Sequence, residues 1–577
     1  MGHRERSRGG VIPPTRVAPP AHARVKGVSP KGLRPEGSCS EHALTLRALR
    51  STELIYVLVG IGILLRVVQY ASNRSLWIDE SGLALNLIEK SVIGLAGPLD
   101  FNQAAPVGFL LTEGIAAKAL GFSEYALRLF PLICGLLSIP AFAWLARRIL
   151  ARAAAPLAIL LFVVADGLVY YSSELKPYET DVAAAIGLLI VGVLVTEHAE
   201  RLTVTWTLAL ALAGVGLVAF SFPAVFMVAA VTVALVIWLA INGRGAFSLA
   251  AALVVLSWII TSVGILSLAG SRVRSVRESF AVSSGSFLGI SGHSSPFHAV
   301  NVIGTHIAAA IGLPQERPFN HIEKLAVLFA IVGAVAVLRR APAYFAMLVI
   351  PFPLLLVASA LDLYPISQRT ELFLIPAMLL LIAEGVYQLV RWTPARAQVL
   401  AATFLVALIA AGPVWSAGKH LIQPRRHEEV RPVLEFVRDH WHRGDSLYVH
   451  YGAQYAFLYY DECKCLDLSL PKTRRSLWPV KLIQGGSSKY SPAAVPLSPG
   501  LILGRRFRNA TPGLYIRDLN RAEGRQRVWF LYSNLSNEGD QLAVKAMLHH
   551  LDSIGRRISG IEQPDAHAYL YRLRKPR

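Results

Sequence analysis

About eleven apolar runs, each near 20 residues long, follow one another between residues 53 and 416. A helix needs about 20 mainly apolar residues to cross the hydrocarbon core of a bilayer. Because the runs are close to that length, they predict a polytopic α-helical membrane protein. The predicted spans lie at 53–71, 127–146, 153–171, 181–197, 203–220, 223–241, 247–269, 324–339, 342–360, 371–390 and 397–416.

The composition agrees with this interpretation and excludes other classes. Of the 577 residues, 54% are hydrophobic and 16% are charged, whereas a soluble domain averages about 25% charged residues. The apolar content also excludes a disordered or collagen-like chain. Four cysteines are too few for a disulfide scaffold. Cys463 and Cys465 are too close together for an easy disulfide, and too few for a zinc site.

The arginines between the spans predict the orientation of the chain. If the N-terminus is cytoplasmic, nine arginines fall in five inner loops, as the positive-inside rule expects. These residues are Arg147, Arg148, Arg152, Arg201, Arg244, Arg339, Arg340, Arg391 and Arg396. An odd number of spans then places the C-terminus outside. We expect a multi-pass protein of the cell (inner or plasma) membrane.

The net charge of +20 is concentrated at the two ends of the chain. Residues 1–50 carry +7 without sustained apolar periodicity, which predicts a disordered basic cytoplasmic tail. Residues 417–577 carry +11 and combine helical spacing at 430–441 with strand-like runs such as 447–451. These features predict an extracytoplasmic α/β domain that follows a transmembrane domain at 51–416.

The first outer loop, 72–126, contains two segments that we expect at the membrane surface. The run 106–120 is shorter than a span and carries charged residues such as Glu113, which are costly at the bilayer centre. It predicts an interfacial or re-entrant helix. Residues 83–96 place apolar side chains on one helical face and polar ones, including Asn86, on the other, which predicts a helix lying flat at the interface.

Two adjacent carboxylates, Asp79 and Glu80, follow Trp77 just beyond the first span. One interpretation is a solvated loop with an aromatic anchor at the interface. The other is a general base held where a lipid-borne substrate presents its head group.

The rest of this loop favours the second interpretation. It continues as Phe-Asn-Gln-Ala-Ala-Pro-Val-Gly-Phe at 101–109 and ends as Gly-Phe-Ser-Glu-Tyr-Ala-Leu-Arg-Leu-Phe-Pro at 121–131. With Asp79-Glu80, these stretches resemble the first loop of GT-C-type glycosyltransferases of the protein-O-mannosyltransferase superfamily. The bacterial branch with lipid A aminoarabinose and galacturonic acid transferases is most similar. The sequence departs from the family at two places. Ala105-Pro106 stands where a Pro pair is usual. Arg-Leu-Phe-Pro at 128–131 stands where the second span usually begins with a shorter, Arg-Leu-Pro-like stretch.

Two later stretches resemble the same family. Residues 170–178, Tyr-Tyr-Ser-Ser-Glu-Leu-Lys-Pro-Tyr, are similar to its second outer loop, where Arg-Pro-Tyr is more usual. Residues 364–369, Tyr-Pro-Ile-Ser-Gln-Arg, with Phe-Leu-Ile-Pro at 373–376 and Glu384-Gly385, are similar to its late outer loop and the following span. The resemblance extends over about residues 53–390.

The resemblance implies a membrane glycosyltransferase that moves a sugar, with inversion, from a polyprenyl-phosphate donor to an extracytoplasmic lipid, polysaccharide or protein acceptor. It implies that Asp79 is the general base and that Glu80 orients the acceptor or holds a metal. Arg128, Lys176 and Arg369 match family positions and would bind the donor phosphate. The alternative for each is an interfacial cation without a catalytic role.

Five further residues are candidate substrate contacts. Gln103 and Tyr178 lie in the matched loops. Arg272, Arg274 and Arg277 stand in a predicted outer loop against the positive-inside trend, and would contact phosphate or lipid A. The alternative for these arginines is a solvated run.

A divalent metal is a further hypothesis. Glu174, Glu179 and Asp181 are close in sequence, and Glu174 could join Asp79 in binding Mg or Mn, which prefer carboxylate ligands. No organic cofactor and no nucleic-acid partner are expected, whereas membrane lipids are.

Two other functions stay open. A transporter or flippase of envelope lipids or oligosaccharides would place charges near the middle of the membrane, yet Arg66, Glu197 and Glu384 lie near span ends. A catalytically inactive scaffold is disfavoured by the presence of both carboxylates. The positive outer domain would suit an anionic acceptor.

Overall fold

The computed structural model describes most of the chain. The described residues are 52–198, 203–242, 251–265, 267, 296–313, 322–462, 480–488, 491–496, 499–507, 511–535 and 538–574, with side chains left out at 296–300 and 480–495. The predicted tail 1–50 and the arginines Arg272, Arg274 and Arg277 lie outside the described residues.

Helices make up nearly all of the described chain before residue 423. A helix satisfies its own backbone donors and acceptors, which is what an apolar segment requires in a bilayer. The helices are α1 (Thr52–Ala71), α2 (Ile78–Glu89), α3 (Val107–Leu120), α4 (Glu124–Ile149), α5 (Ala155–Val164), α6 (Asp166–Tyr171), α7 (Tyr178–His198), α8 (Val204–Ala219), α9 (Ala224–Asn242), α10 (Ala251–Ile265), α11 (Pro296–Ile311), α12 (Ile322–Arg340), α13 (Pro342–Val349), α14 (Pro351–Ala360), α15 (Ile375–Trp392) and α16 (Gln398–Ile422).

Seven helical segments of the described chain are long and apolar enough to cross a membrane. They are Thr52–Ala71, Glu124–Ile149, Tyr178–His198, Ala224–Asn242, Pro342–Ala360, Leu372–Trp392 and Ala395–Ile422. Four shorter apolar helices accompany them, namely Ala155–Val164, Val204–Ala219, Ala251–Ile265 and Asn301–Ile311. The predicted span 153–171 is divided between α5 and α6. The helical multi-pass architecture is confirmed, and the number of spans and their orientation stay predictions.

The outward faces of these helices suit a lipid environment. Tyr56 on α1 is 70% exposed, Leu212 on α8 is 70% exposed and Trp415 on α16 is 78% exposed. Large apolar side chains at such exposure are unusual on a water-soluble surface and normal against lipid tails.

Helices α12 and α15 approach each other closely because each has a glycine at the crossing. A Cβ at Gly333 would collide with the carbonyl oxygen of Leu381, and one at Gly385 with the carbonyl oxygen of Phe329. Small residues permit such backbone contact between membrane helices. The contact gives Gly385, in the Glu384-Gly385 motif, a packing role.

The structure corrects one expectation about the first outer loop. The predicted flat helix at 83–96 is α2, which starts earlier, at Ile78, and ends at Glu89. Asn86, expected on the polar face of this helix, is buried. Its side chain accepts a hydrogen bond from the amide of Asp100 at 2.8 Å and donates one to the carbonyl of Asp100 at 3.1 Å. The helix is therefore buried on both faces.

The predicted α/β domain is present after α16. Its elements are α17 (Val430–Asp439), β1 (Ser446–Val449), α18 (Gln454–Glu462), β2 (Val480–Ser488), β3 (Ser491–Pro496), β4 (Leu501–Leu503), α19 (Pro512–Leu519), β5 (Arg527–Ser533), α20 (Glu538–Ile554), β6 (Gly555–Gln563) and β7 (Ala566–Leu573). Five strands form a sheet in the order β4-β1-β5-β7-β6. Strand β1 is parallel to both neighbours, and β7 is antiparallel to both of its own.

The domain and the first outer loop share one hydrophobic core. Buried Leu83 and Phe109 from the loop belong to the same cluster as Val433, Phe457 and Trp529 from the domain. Burial of apolar surface at about 25 cal/mol per Å² makes this contact a strong one. The domain therefore supports the loop that carries the two predicted catalytic carboxylates.

Candidate active site

The two carboxylates stand in the first turn of α2 and point to different environments. The positive end of the helix dipole favours negative charge at this position. Asp79 remains 28% exposed at its side chain. Glu80 is fully buried. Adjacent helical residues point about 100° apart, so the two side chains face different surroundings.

Asp79 pairs with an arginine from the late outer loop. Its Oδ2 lies 2.8 Å from Nη1 of Arg369, whose guanidinium carbon lies 5.0 Å from the ring centre of Trp77 and 5.8 Å from that of Tyr178. Burial alone raises the pKa of Asp79, but the charge of Arg369 and then that of Lys176 lower it below its ordinary value. Asp79 is therefore ionised in the folded protein at neutral pH.

Lys176 comes to the same place from the second outer loop. Its Nζ donates to Oε1 of Gln103 at 2.5 Å, and its side chain is buried. Burial lowers the pKa of Lys176, Asp79 raises it again, and Arg369 lowers it further. The residues that the sequence singled out in three separate loops, including Gln103 and Tyr178, thus meet around Asp79.

Glu80 and Arg128 form a buried pair that is held by several hydrogen bonds. Arg128 donates to both oxygens of Glu80, at 2.8 and 2.6 Å, and to the carbonyl oxygens of Arg74 and Ser75. Glu80 also accepts from the amide of Leu175 at 2.8 Å. Burial raises the pKa of Glu80, but Arg128, Arg74 and the amide of Leu175 together lower it below its ordinary value. In this geometry the pair fastens loop to loop, and the expected contacts of Arg128 with phosphate and of Glu80 with an acceptor or metal stay predictions.

A second buried pair, which the sequence analysis missed, joins the two loops. Nη2 of Arg74 lies 3.8 Å from Oε2 of Glu174, its Nη1 donates to Ser173, and its guanidinium lies 4.3 Å from the ring centre of Tyr170. Glu174 is fully buried and its carboxylate oxygens accept no hydrogen bond. Burial, and then the charge of Glu80, raise the pKa of Glu174 to about 7. Arg74 could have been noticed in the sequence, because an arginine in a predicted outer loop runs against the positive-inside trend.

The chain matches ArnT from Cupriavidus metallidurans in the apo state with a TM-score of 0.50 and 13% identity, over 90% of this chain and 98% of that one. The chain has a GT-C-type glycosyltransferase fold.

Two further structures are similar at lower scores. ArnT from the same organism bound to undecaprenyl phosphate matches at a TM-score of 0.49 and 14% identity, over 90% of this chain and 98% of that one. The archaeal oligosaccharyltransferase AglB from Archaeoglobus fulgidus, in complex with an inhibitory peptide and a dolichol-phosphate, matches at 0.47 and 12%, over 89% of this chain and 74% of that one. No protein-family model and no curated protein sequence matches the chain.

The proposed metal ligands have different neighbours in the part of the chain that the structure describes. Within the described residues, no group of three or more His, Cys, Asp or Glu side chains is placed to hold a metal ion. Asp79 is directed to Arg369 and Glu174 to Arg74. Glu179 is buried against α4, beside Gly135.

Proposed function

We propose that this protein is a membrane glycosyltransferase that transfers a sugar from a polyprenyl-phosphate donor to a hydroxyl acceptor on the extracytoplasmic side. The observation that carries the proposal is the meeting of Asp79, Arg369 and Lys176, brought from three loops that are distant in sequence. The proposed reaction needs a carboxylate to accept a proton and cations to stabilise a phosphate, and these three residues provide both. The GT-C fold and the resemblance of the loops support the same assignment.

The chemistry can be assigned to these groups one bond at a time. The acceptor oxygen bonds to the anomeric carbon of the sugar while the bond from that carbon to the phosphate oxygen breaks, with inversion. The hydroxyl proton passes to the carboxylate of Asp79, which is a general base. The lipid phosphate leaves with the bonding electrons. Because phosphate is a good leaving group when its charge is stabilised, no carboxylic acid has to protonate it.

Arg369 and Lys176 are the proposed partners of that phosphate. A guanidinium has five N–H donors, so Arg369 can keep its contact with Asp79 and still donate to a phosphate. Lys176 uses one donor on Gln103 and has two more. The indole N–H of Trp77, beside Arg369, is buried without an acceptor and is a third donor at this place.

The test is transfer by the purified protein in lipid nanodiscs, with a polyprenyl-phosphate sugar as donor and extracted envelope lipids and glycans as acceptors. We expect Asp79→Asn to reduce kcat by about 100-fold or more, the size of a lost general base, while donor binding persists. The matched control is Asp100→Asn in the same loop, whose carboxylate pairs with Lys90 at 2.7 Å. Mass spectrometry of envelopes with and without the gene would identify the missing sugar and the acceptor.

Unchanged turnover in the Asp79→Asn protein would overturn the assignment of the base. If the wild-type protein moves lipid-linked sugar between the leaflets of vesicles and releases no product, the transporter alternative replaces the enzyme. The control variant must transfer at the wild-type rate, otherwise the loss in Asp79→Asn reflects the loop as a whole.

A further inference from the structure

The helix that carries Asp79 begins without a cap of its own. The residue at its N-cap position is Trp77, whose side chain makes no capping hydrogen bond. The first N–H groups of a helix have no partner within the helix, and Ser, Thr, Asp or Asn usually supplies one. The sequence Leu-Trp-Ile-Asp-Glu offers none before the helix. A partner for the first amide must therefore come from elsewhere.

That partner is a glutamate 350 residues away, between α16 and the outer domain. Oε2 of Glu428 accepts a hydrogen bond from the amide of Ile78 at 3.0 Å, and the side chain is fully buried. Ile78 is the first residue of α2 and precedes Asp79 directly. A carboxylate at a helix N-terminus interacts with both the free N–H and the dipole. Glu428 thus provides the missing cap next to the proposed base.

The outer domain holds Glu428 in place by several contacts. Glu428 has a φ of 50°, a left-handed conformation that is uncommon for a residue with a side chain. The next amide, of Glu429, donates to the carbonyl of Pro564 at 2.9 Å. His427 lies 2.7 Å from Asp565 and 3.4 Å from the carboxylate of Glu428. Pro564 and Asp565 lie between β6 and β7, so the sheet fixes the position of the cap.

Neighbouring contacts fix the approach to α2 in the same way. The side chain of Glu429 accepts from the hydroxyl of Ser75 at 3.1 Å and from its amide at 3.3 Å. The hydroxyl of Tyr460 accepts from the amide of Leu76 at 2.8 Å. The backbone from Ser75 to Ile78 is thus held by three side chains of the region after α16.

We propose that Glu428 is a positioning residue, through which the outer domain caps α2 and holds Asp79 in its reactive orientation. The proposal rests on the proposed function for its catalytic consequence, and on the structure alone for the contact. It gives the outer domain a role in catalysis that does not require it to touch the substrates. A misplacement of about 1 Å in a catalytic group can cost about 100-fold in rate.

The experiment compares Glu428→Ala with the conservative Glu428→Gln, which keeps an oxygen acceptor for the Ile78 amide. We expect Glu428→Ala to lower kcat by about 10- to 100-fold with a donor KM within about twofold. Glu428→Gln should recover most of the rate. Asp439→Asn, an exposed carboxylate at the end of α17, is the matched control and should behave as the wild type.

A second measurement does not depend on activity. Hydrogen–deuterium exchange of the peptide around residues 75–80 should become faster in Glu428→Ala, and stay as in the wild type in Glu428→Gln and Asp439→Asn. Unchanged exchange in Glu428→Ala overturns the capping contact. Faster exchange with unchanged kcat overturns the catalytic role. If the wild-type protein transfers no sugar, the proposed function fails, while the exchange result still decides the contact.

Discussion

Two adjacent carboxylates, Asp79 and Glu80, lie in opposite surroundings. Asp79 is partly exposed and faces Arg369, whereas Glu80 is buried and bound by Arg128. The resemblance to a known family assigned different roles to the two acids, but the sequence did not show that one is buried and the other partly exposed. The difference arises because a helix directs them apart, one to the cleft between loops and one into the interior.

Glu174 provides a prediction about pH at the same scale. Its pKa in the folded protein, about 7, lies above the ordinary 4.5 because of burial and then Glu80. Between pH 4.5 and about 7, Glu174 is therefore protonated in the folded protein and ionised in the unfolded chain. The free energy of unfolding falls as the pH rises through this range, and above it the contribution of Glu174 is constant. Glu174→Gln removes this loss, worth up to about 3 kcal/mol.

The measurement is the unfolding temperature at pH 5 and pH 8, compared with the wild type. The gain in Glu174→Gln should be larger at pH 8. An exposed glutamate, Glu523, changed to Gln is the control and should show no such difference. An equal gain at both pH values would contradict the buried titration.

At the scale of the element, the crossing of α12 and α15 depends on two glycines. Gly385→Ala would place a methyl group against the carbonyl of Phe329. Overpacking of this kind costs about 1–3 kcal/mol, so we expect a lower unfolding temperature in detergent. Gly60→Ala on α1 is the matched control, since nothing lies within 4 Å of its Cβ position. Equal unfolding temperatures for the two variants would show that the helices can separate without cost.

At the scale of the whole molecule, charge is divided between regions of different role. The predicted outer domain carries +11, and we expect it to attract an anionic acceptor. Such attraction is screened as ionic strength rises. The acceptor KM for an anionic glycan or lipid should therefore increase with salt, while that for a neutral acceptor stays constant. Equal responses of the two acceptors would remove this idea.

Much of the architecture could be predicted because a helix that crosses the bilayer needs about 20 mainly apolar residues. Apolar runs of the right length predicted helices such as α1 and α7, and the strand-like run 447–451 predicted β1. The residues around Asp79 could be named because their loops resemble those of a known family. The exact number of spans is less determined, since α8 and α10 are shorter than a full span.

The local pattern of the sequence was enough to predict the helical membrane class and the C-terminal α/β domain, and its family resemblance named Asp79, Lys176 and Arg369 as candidates. The fold was needed to show that Asp79 is partly exposed beside Arg369, that Glu80 is buried with Arg128, and that Glu428 caps the helix of Asp79. The physical reason is distance along the chain. Apolar periodicity is a local property, whereas the partner of a buried charge or of an uncapped amide can come from any part of the fold, here from 350 residues away.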